Sequence, residues 1–370
     1  MVFVCKKCGK VYYYDVKRCI FCRSEVSEKK DSKLKVKAFT EVLVPSSDHK
    51  QVPYFDVLVE DDQGNLGIIK SGVRYDVGHT LEPAGKGKDK GSLHGLKMGI
   101  VGTGVTGLGI AEVALMHGME VRLISRTEDR LKKAGEEISR FMAKFMAEKD
   151  KNEAMGRYRP SARIEDLGDV DLVIESVVED KKTKDEYFRK LDKICKKNAV
   201  IATNTSSLSV DELGENLKDP SRFLGIHFFN PVPRMALVEV VKGKNTSEKT
   251  LNFAVEFAET LGKSPVITKD SPCFIVNRIM VPYLNEAAHI YGEGVASKED
   301  IDKAVKLGLN HPMGPLALMD LIGLDVVLEI MNNIRNKTND RKYLPAGIMV
   351  KMVKEGKLGR KSGQGFFKYS

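Results

Sequence analysis

Two kinds of hydrophobic patterning divide the chain. Between about residues 35 and 82 the apolar positions fall in short alternating runs, VKAFTEVLV, YFDVLVED and LGIIKS, separated by Pro, Gly and an Asp-Gln-Gly-Asn cluster. Alternation at period two, broken by turn residues, predicts a small antiparallel sheet or barrel. Beyond residue 95 strand-like and helix-like segments alternate: KMGIVG, a helix over 105–117, EVRLIS, a long charged helix to about residue 151, DLVIES, a helix from about residue 181, and AVIATNTS. That rhythm predicts a doubly wound parallel sheet. From about residue 272 the period is helical throughout, as in FIVNRIMVPYLNEAAHIY and DLIGLDVVLEIMNNI, so an all-helical domain should close the chain.

Composition narrows the setting. The 370 residues are 42% hydrophobic and 30% charged, and no apolar run approaches the ~20 residues of a membrane span. The opening MVFVCKKCGK lacks the apolar stretch of a secretory signal, which leads us to expect a cytoplasmic protein. A net charge of +9, from 60 basic and 51 acidic residues, is dispersed along the chain. A nucleic-acid footprint would be more concentrated; a mild positive field also suits phosphate-bearing ligands, but a solvated Lys/Glu-rich surface is the favoured account of it.

Cys5, Cys8, Cys19 and Cys22 form two C-x-x-C knuckles. In a reducing compartment four thiolates so spaced converge on one tetrahedral Zn, and four sulfurs leave no position for a catalytic water. A small zinc ribbon over residues 1–30 is expected, the alternative being four unliganded cysteines. Residues 31–84 then carry the β-rich module, and the Gly- and Lys-rich stretch 85–95 a linker.

Gly102, Gly104 and Gly107 make G-x-G-x-x-G directly after the strand KMGIV and at the mouth of an apolar helix, with Val105 and Thr106 between them. In that context the glycines serve a tight turn, close approach to a pyrophosphate and close helix–strand packing, so a Rossmann-type dinucleotide domain is expected over 96–272 and the helical domain over 273–370. The end of the second strand normally carries a carboxylate for the ribose hydroxyls; here it holds Ser125 followed by Arg126. A hydroxyl and a guanidinium would bind a ribose 2′-phosphate that a carboxylate would repel, which predicts NADP in preference to NAD. Glu128 and Asp129, following Thr127, read as the capped first turn of the next helix.

Oxidising an alcohol by hydride loss requires a base for its proton. His227 in FLGIHFFNP qualifies, although a lone histidine in an apolar strand is most often a satisfied core residue. Twelve residues on, Glu239 in ALVEVVKG would be costly to bury unpaired. If adjacent strands bring the two together, the carboxylate can orient the imidazole and stabilise its protonated form.

With NTSSL (204–208), HFFNPVP (227–233), LVEVV (237–241), FIVNR (274–278), HPMGP (311–315) and the ending GRKSGQGFFKY, residues 96–370 closely resemble the 3-hydroxyacyl-CoA dehydrogenase family. The resemblance implies hydride exchange between a nicotinamide cofactor and C3 of an (S)-3-hydroxyacyl-CoA, with His227 as acid/base and Glu239 as its partner. It implies that Ser206 and Asn277 hydrogen-bond the substrate's 3-oxygen and help place the nicotinamide. It also implies that Glu179, Lys184 and Asn230 contact the cofactor, and that facing helical domains form a homodimer. Two positions depart from the family: Ser125 replaces the strand-end acid, and the helix expected over 128–149 carries Ser139 and Lys144 only near the polar positions that hold CoA.

The knuckles CKKCGKVYYYDVKRCIFC with the β-rich segment resemble zinc-ribbon plus OB-fold proteins that accompany thiolases. That implies a docking surface on residues 1–90 for a thiolase-type partner; a structural appendage and a nucleic-acid module are the alternatives. Two rivals to the enzymatic reading are a dehydrogenase of free 3-hydroxy acids and a non-catalytic acyl-CoA scaffold. Ser206, His227, Glu239 and Asn277 together argue against both.

Overall fold

The computed structural model describes residues 95–369 continuously, residue 93, and ahead of them residues 2–5, 11–12, 25–29, 34–42, 54–61, 64, 66–71 and 77–81. The chain divides into two compact units, Met1–Ser92 and Leu93–Ser370.

In the first unit, strand Val2–Cys5 lies antiparallel between Val11–Tyr12 and Val26–Lys29. A second sheet runs Leu66–Ser71, Tyr54–Glu60, Leu34–Val42, Thr80–Leu81, every neighbour antiparallel. Its core consists of Leu34, Val36, Val57 and Val59, alternate residues of two paired strands, as period-two patterning requires. Among the described residues this is an open four-stranded sheet, and no pairing closes it into a barrel. Cys8, Cys19 and Cys22 lie outside the described residues, as does the side chain of Cys5.

The second unit opens with an eight-stranded sheet. Its strands are β1 (Lys97–Val101), β2 (Glu120–Ile124), β3 (Tyr158–Ser161), β4 (Leu172–Glu175), β5 (Val200–Thr203), β6 (Phe223–Phe228), β7 (Leu237–Lys242) and β8 (Ser264–Lys269). The spatial order is 3-2-1-4-5-6-7-8, parallel except for the antiparallel contact of β6 with β7. Every residue of β4, β5 and β6 is buried, because helices cover both faces. Helices α1 (Val105–Met116), α2 (Glu128–Met142) and α6 (Glu248–Thr260) pack Ile110, Leu115, Ile138 and Phe257 against Met98, Ile100, Leu172 and Ile174. On the opposite face α4 (Lys181–Ile194) and α5 (Val210–Gly214) pack Phe188, Leu191 and Leu213 against Val101, Val173 and Ile201.

One expectation needs correction. The long helix to about residue 151 is instead α2 and a separate α3 (Glu148–Met155). A straight rod of that length would run well past the sheet at 1.5 Å per residue, whereas the turn between them returns both Met142 and Ala154 to the same core. The edge strands β3 and β8 escape the hydrophobic pattern. They are largely solvent-facing and carry Pro160 and Pro265, which a sheet edge tolerates.

The helical domain comprises α7 (Val276–Gly292), α8 (Lys298–Gly308), α9 (Pro315–Ile322), α10 (Leu324–Thr338) and α11 (Gly347–Lys354) around Leu284, Met319, Val327 and Met331. The enclosed carboxylate of Asp320 accepts from the Phe366 and Phe367 amides and the Tyr369 hydroxyl at 2.8–2.9 Å, which fastens the terminal GFFKY segment onto α9. No helix among the described residues is long and apolar enough to cross a membrane.

Candidate active site

A cavity of about 640 Å³ opens at the carboxyl ends of the parallel strands, where doubly wound sheets bind ligands. Its floor is the turn from β1 into α1. Gly102 has φ +119°, and a Cβ there would stand 2.3 Å from the Ser176 carbonyl oxygen; a Cβ on Gly107 would stand 2.3 Å from the Gly102 carbonyl oxygen. Only glycine fits either place. At Gly104 a Cβ would meet nothing, so the backbone lies open to the cavity, and α1 begins there with neither a side-chain cap nor an acidic residue in its first turn. Free helix-end amides beside an open glycine fit a pyrophosphate. Val105 and Thr106 line the same wall, and Asn230 donates to the Thr106 hydroxyl at 2.8 Å, tying the loop after β6 to α1.

Ser125 and Arg126 border the cavity at the end of β2, the Ser125 hydroxyl 3.4 Å from that of Thr103. Glu128 and Asp129 occupy the first turn of α2, as expected, but Thr127 makes no side-chain cap hydrogen bond. Arg130, Lys133 and Glu137 of α2 also line the cavity and were missed in the sequence. Their i, i+3, i+7 spacing puts them on one helix face, a pattern that any solvated charged face shares.

Glu179 borders the cavity beyond β4. Its Oε1 accepts from the Thr205 hydroxyl at 2.5 Å and from the Ser206 and Ser207 amides at 2.8 and 2.9 Å, while the Ser206 hydroxyl approaches at 3.3 Å. Burial would raise this carboxyl, but the nearby Lys184 ammonium and those donors outweigh it and hold it below the usual carboxylate range. Lys184 departs from the expected cofactor contact. It does not line the cavity; it is 1% exposed and sits between Glu175 at 2.6 Å and Glu179 at 3.3 Å. Its position makes it a support for the cavity wall.

His227 lines the cavity and Glu239 stands directly opposite it in the β6–β7 register. His227 Nδ1 lies 2.7 Å from Glu239 Oε2. Burial would raise Glu239, yet the hydrogen bond from His227 and backbone amides lower it overall, so it is a carboxylate. A carboxylate can only accept, so Nδ1 carries the proton and Nε2 is left as the acceptor nitrogen of the neutral ring. The imidazole is flanked by the rings of Phe229 and Phe274, with centroids 4.6 and 5.7 Å away. Asn277 is the second residue of α7, half-buried, next to Val276, whose amide also reaches Glu239. Asn204 lines the cavity and its side-chain oxygen accepts from the Phe228 amide at 2.9 Å, which ties the NTSSL loop to the histidine strand. Ser139 in the last turn of α2 and the exposed Lys144 beyond it take no part in this cavity.

Residues 97–271 match the NAD-binding domain of 3-hydroxyacyl-CoA dehydrogenase, and residues 274–369 match its C-terminal domain. A 3-hydroxybutyryl-CoA dehydrogenase of Clostridioides difficile is 44% identical over 280 residues, 74% of this chain and 100% of that protein. The mitochondrial hydroxyacyl-coenzyme A dehydrogenase of Sus scrofa is 43% identical, covering 73% of this chain and 90% of its own. The crystal structure of (S)-3-hydroxybutyryl-CoA dehydrogenase from Ralstonia eutropha superposes with a TM-score of 0.73 at 41% identity, over 74% of this chain and 99% of that one. With both domains present in order and a cavity whose glycine turn fits a dinucleotide, the chain belongs to the 3-hydroxyacyl-CoA dehydrogenase family and is a 3-hydroxyacyl-CoA dehydrogenase.

Proposed function

We propose that His227 is the acid/base of this enzyme, that Glu239 orients it, and that the chain reduces short 3-ketoacyl-CoA substrates such as acetoacetyl-CoA with NADPH. The observation that carries the reading is the 2.7 Å contact of His227 Nδ1 with a carboxylate from the neighbouring strand, with the imidazole on the cavity wall. When bound, the nicotinamide supplies or accepts the hydride. In reduction, protonated His227 hands the Nε2 proton to the oxygen forming on C3; in oxidation, neutral His227 takes the hydroxyl proton and Glu239 stabilises the resulting imidazolium. Ser206 and Asn277 are assigned to the substrate oxygen, and Glu179 and Asn230 to the cofactor. Short-chain specificity is favoured by the two bacterial relatives, both named as 3-hydroxybutyryl-CoA dehydrogenases.

The preference for NADPH over NADH is supported by Ser125 in place of an acid and by Arg126, Arg130 and Lys133 around the same end of the cavity. The most direct test is acetoacetyl-CoA reduction with NADH and NADPH in parallel. A preference of about tenfold or more for NADPH is expected, whereas one of that size for NADH rejects the cofactor assignment. Ser139 and Lys144 are assigned to CoA, outside the dinucleotide cavity. Homodimerisation through the helical domains and a cytoplasmic location belong to the same proposal.

For residues 1–90 we propose one structural Zn held by Cys5, Cys8, Cys19 and Cys22, and docking of a thiolase-type partner that exchanges the 3-ketoacyl-CoA. Four cysteines at ribbon spacing support the first, and the module's resemblance supports the second. Metal analysis of the full chain should find about one Zn per chain, lost on replacing Cys19 and Cys22 with Ser. Co-purification of RNA or DNA in place of a thiolase would favour the nucleic-acid alternative.

A further inference from the structure

We propose that the backbone from Cys273 to Val276, where the sheet domain passes into the helical domain, is a positioning segment that holds both members of the His227–Glu239 pair at once. Cys273 and Phe274 are consecutive non-glycine residues in the left-handed region, at φ +59° and +57°. Both are enclosed, at 1% and 2% exposure. For a bulky side chain such a conformation persists only where its surroundings impose it, and it concentrates at functional sites.

Its consequence is a double contact. The Phe274 ring lies against the imidazole of His227, with a centroid separation of 5.7 Å and an interplanar angle of 57°. The next two amides, Ile275 and Val276, donate to Glu239 Oε1 at 3.1 and 3.0 Å, while Oε2 of the same carboxylate holds His227. Helix α7 has no side-chain cap from its own N-cap residue Ile275. The carboxylate from β7 takes that place and receives the positive end of the helix. Glycine would adopt the backbone more easily at residue 274, but only an aromatic ring supplies the flat wall beside the histidine. A shift of α7 relative to the sheet therefore moves the carboxylate and the ring together, and the acid/base pair is assembled only while the two domains hold this joint.

The inference rests on the acid/base reading of His227 and Glu239, and the experiment separates the two. Phe274→Ala and Phe274→Leu are made alone and combined with Glu239→Gln. Each is measured for kcat, KM, NADPH and NADH binding by fluorescence, and the low-field proton resonance of the histidine N–H bonded to the carboxylate. Phe274→Ala should lower kcat about tenfold or more while cofactor binding stays within about twofold; Phe274→Leu should recover part of the loss. The low-field resonance should move or broaden in the alanine variant. In the Glu239→Gln background the same alanine change should cost less than about threefold, because the pair it positions is already broken. Equal losses in both backgrounds, or normal kcat with an unmoved resonance, overturn the proposal. If the alanine variant does not fold, the leucine variant carries the same comparison. Near-normal turnover of Glu239→Gln alone rejects the acid/base reading itself.

Discussion

Glu239 and Glu179 both stand beside the cavity as carboxylates held below their usual range, but they differ in what they support and how open they are. Glu239 is 1% exposed and divides its two oxygens between a histidine and the first amides of α7. Glu179 keeps 32% of its side chain open and gathers the Thr205 hydroxyl and the hydroxyls and amides of Ser206 and Ser207, with Lys184 behind it. An enclosed carboxylate with one titratable partner suits proton transfer. An open one that organises a loop suits ligand binding, and its supporting cation belongs to the stability of the wall.

The largest expected effect breaks the first region. Glu239→Gln keeps the shape but leaves the imidazolium without its counter-charge, and kcat for acetoacetyl-CoA reduction should fall by about 10²–10⁴-fold with a milder change in cofactor binding. The second region should fail differently. Lys184→Met leaves Glu175, which is 0% exposed, without its ammonium, and denaturant unfolding should report a loss of about 3–5 kcal/mol. Adding Glu175→Gln to that variant should restore part of the stability, because no uncompensated charge then remains buried.

The far end of the cavity supplies a smaller effect. Ser125→Asp should shift the NADPH/NADH ratio of kcat/KM toward NADH by about tenfold, or ~1.4 kcal/mol. An unchanged ratio would remove Ser125 from cofactor selection. The smallest effect is on acid stability. A carboxyl whose folded pKa is depressed contributes stability that is fully present above its unfolded value, ordinarily 4.5, and is lost as pH falls through the folded value. The melting temperature of the parent should therefore fall more steeply below about pH 4.5 than that of Glu239→Gln. Glu179, being a third open to water, should contribute less to that slope.

The alternation of buried runs with amphipathic helices made the sheet domain legible, because β4, β5 and β6 are covered on both faces and read as continuous apolar segments. The edge strands β3 and β8 were not legible, since a half-exposed strand bearing proline carries no such pattern. The glycine turn and the His227–Glu239 pair could be read from residue types and spacing. Arg130 and Lys133 could not be distinguished from an ordinary charged helix face until α2 was seen beside the cavity.

The residues alone determined the dinucleotide turn, the helical closing domain and the pairing of His227 with Glu239, because each depends on local chemistry or short periodicity. Only tertiary structure decided that Lys184 is buried behind the cavity wall and that Glu239 also caps α7. It also revealed that Phe274, in a left-handed conformation, closes against His227. Those relations join strands and helices from both domains, and no local rule of sequence encodes which enclosed charge will face which amide once the chain has packed.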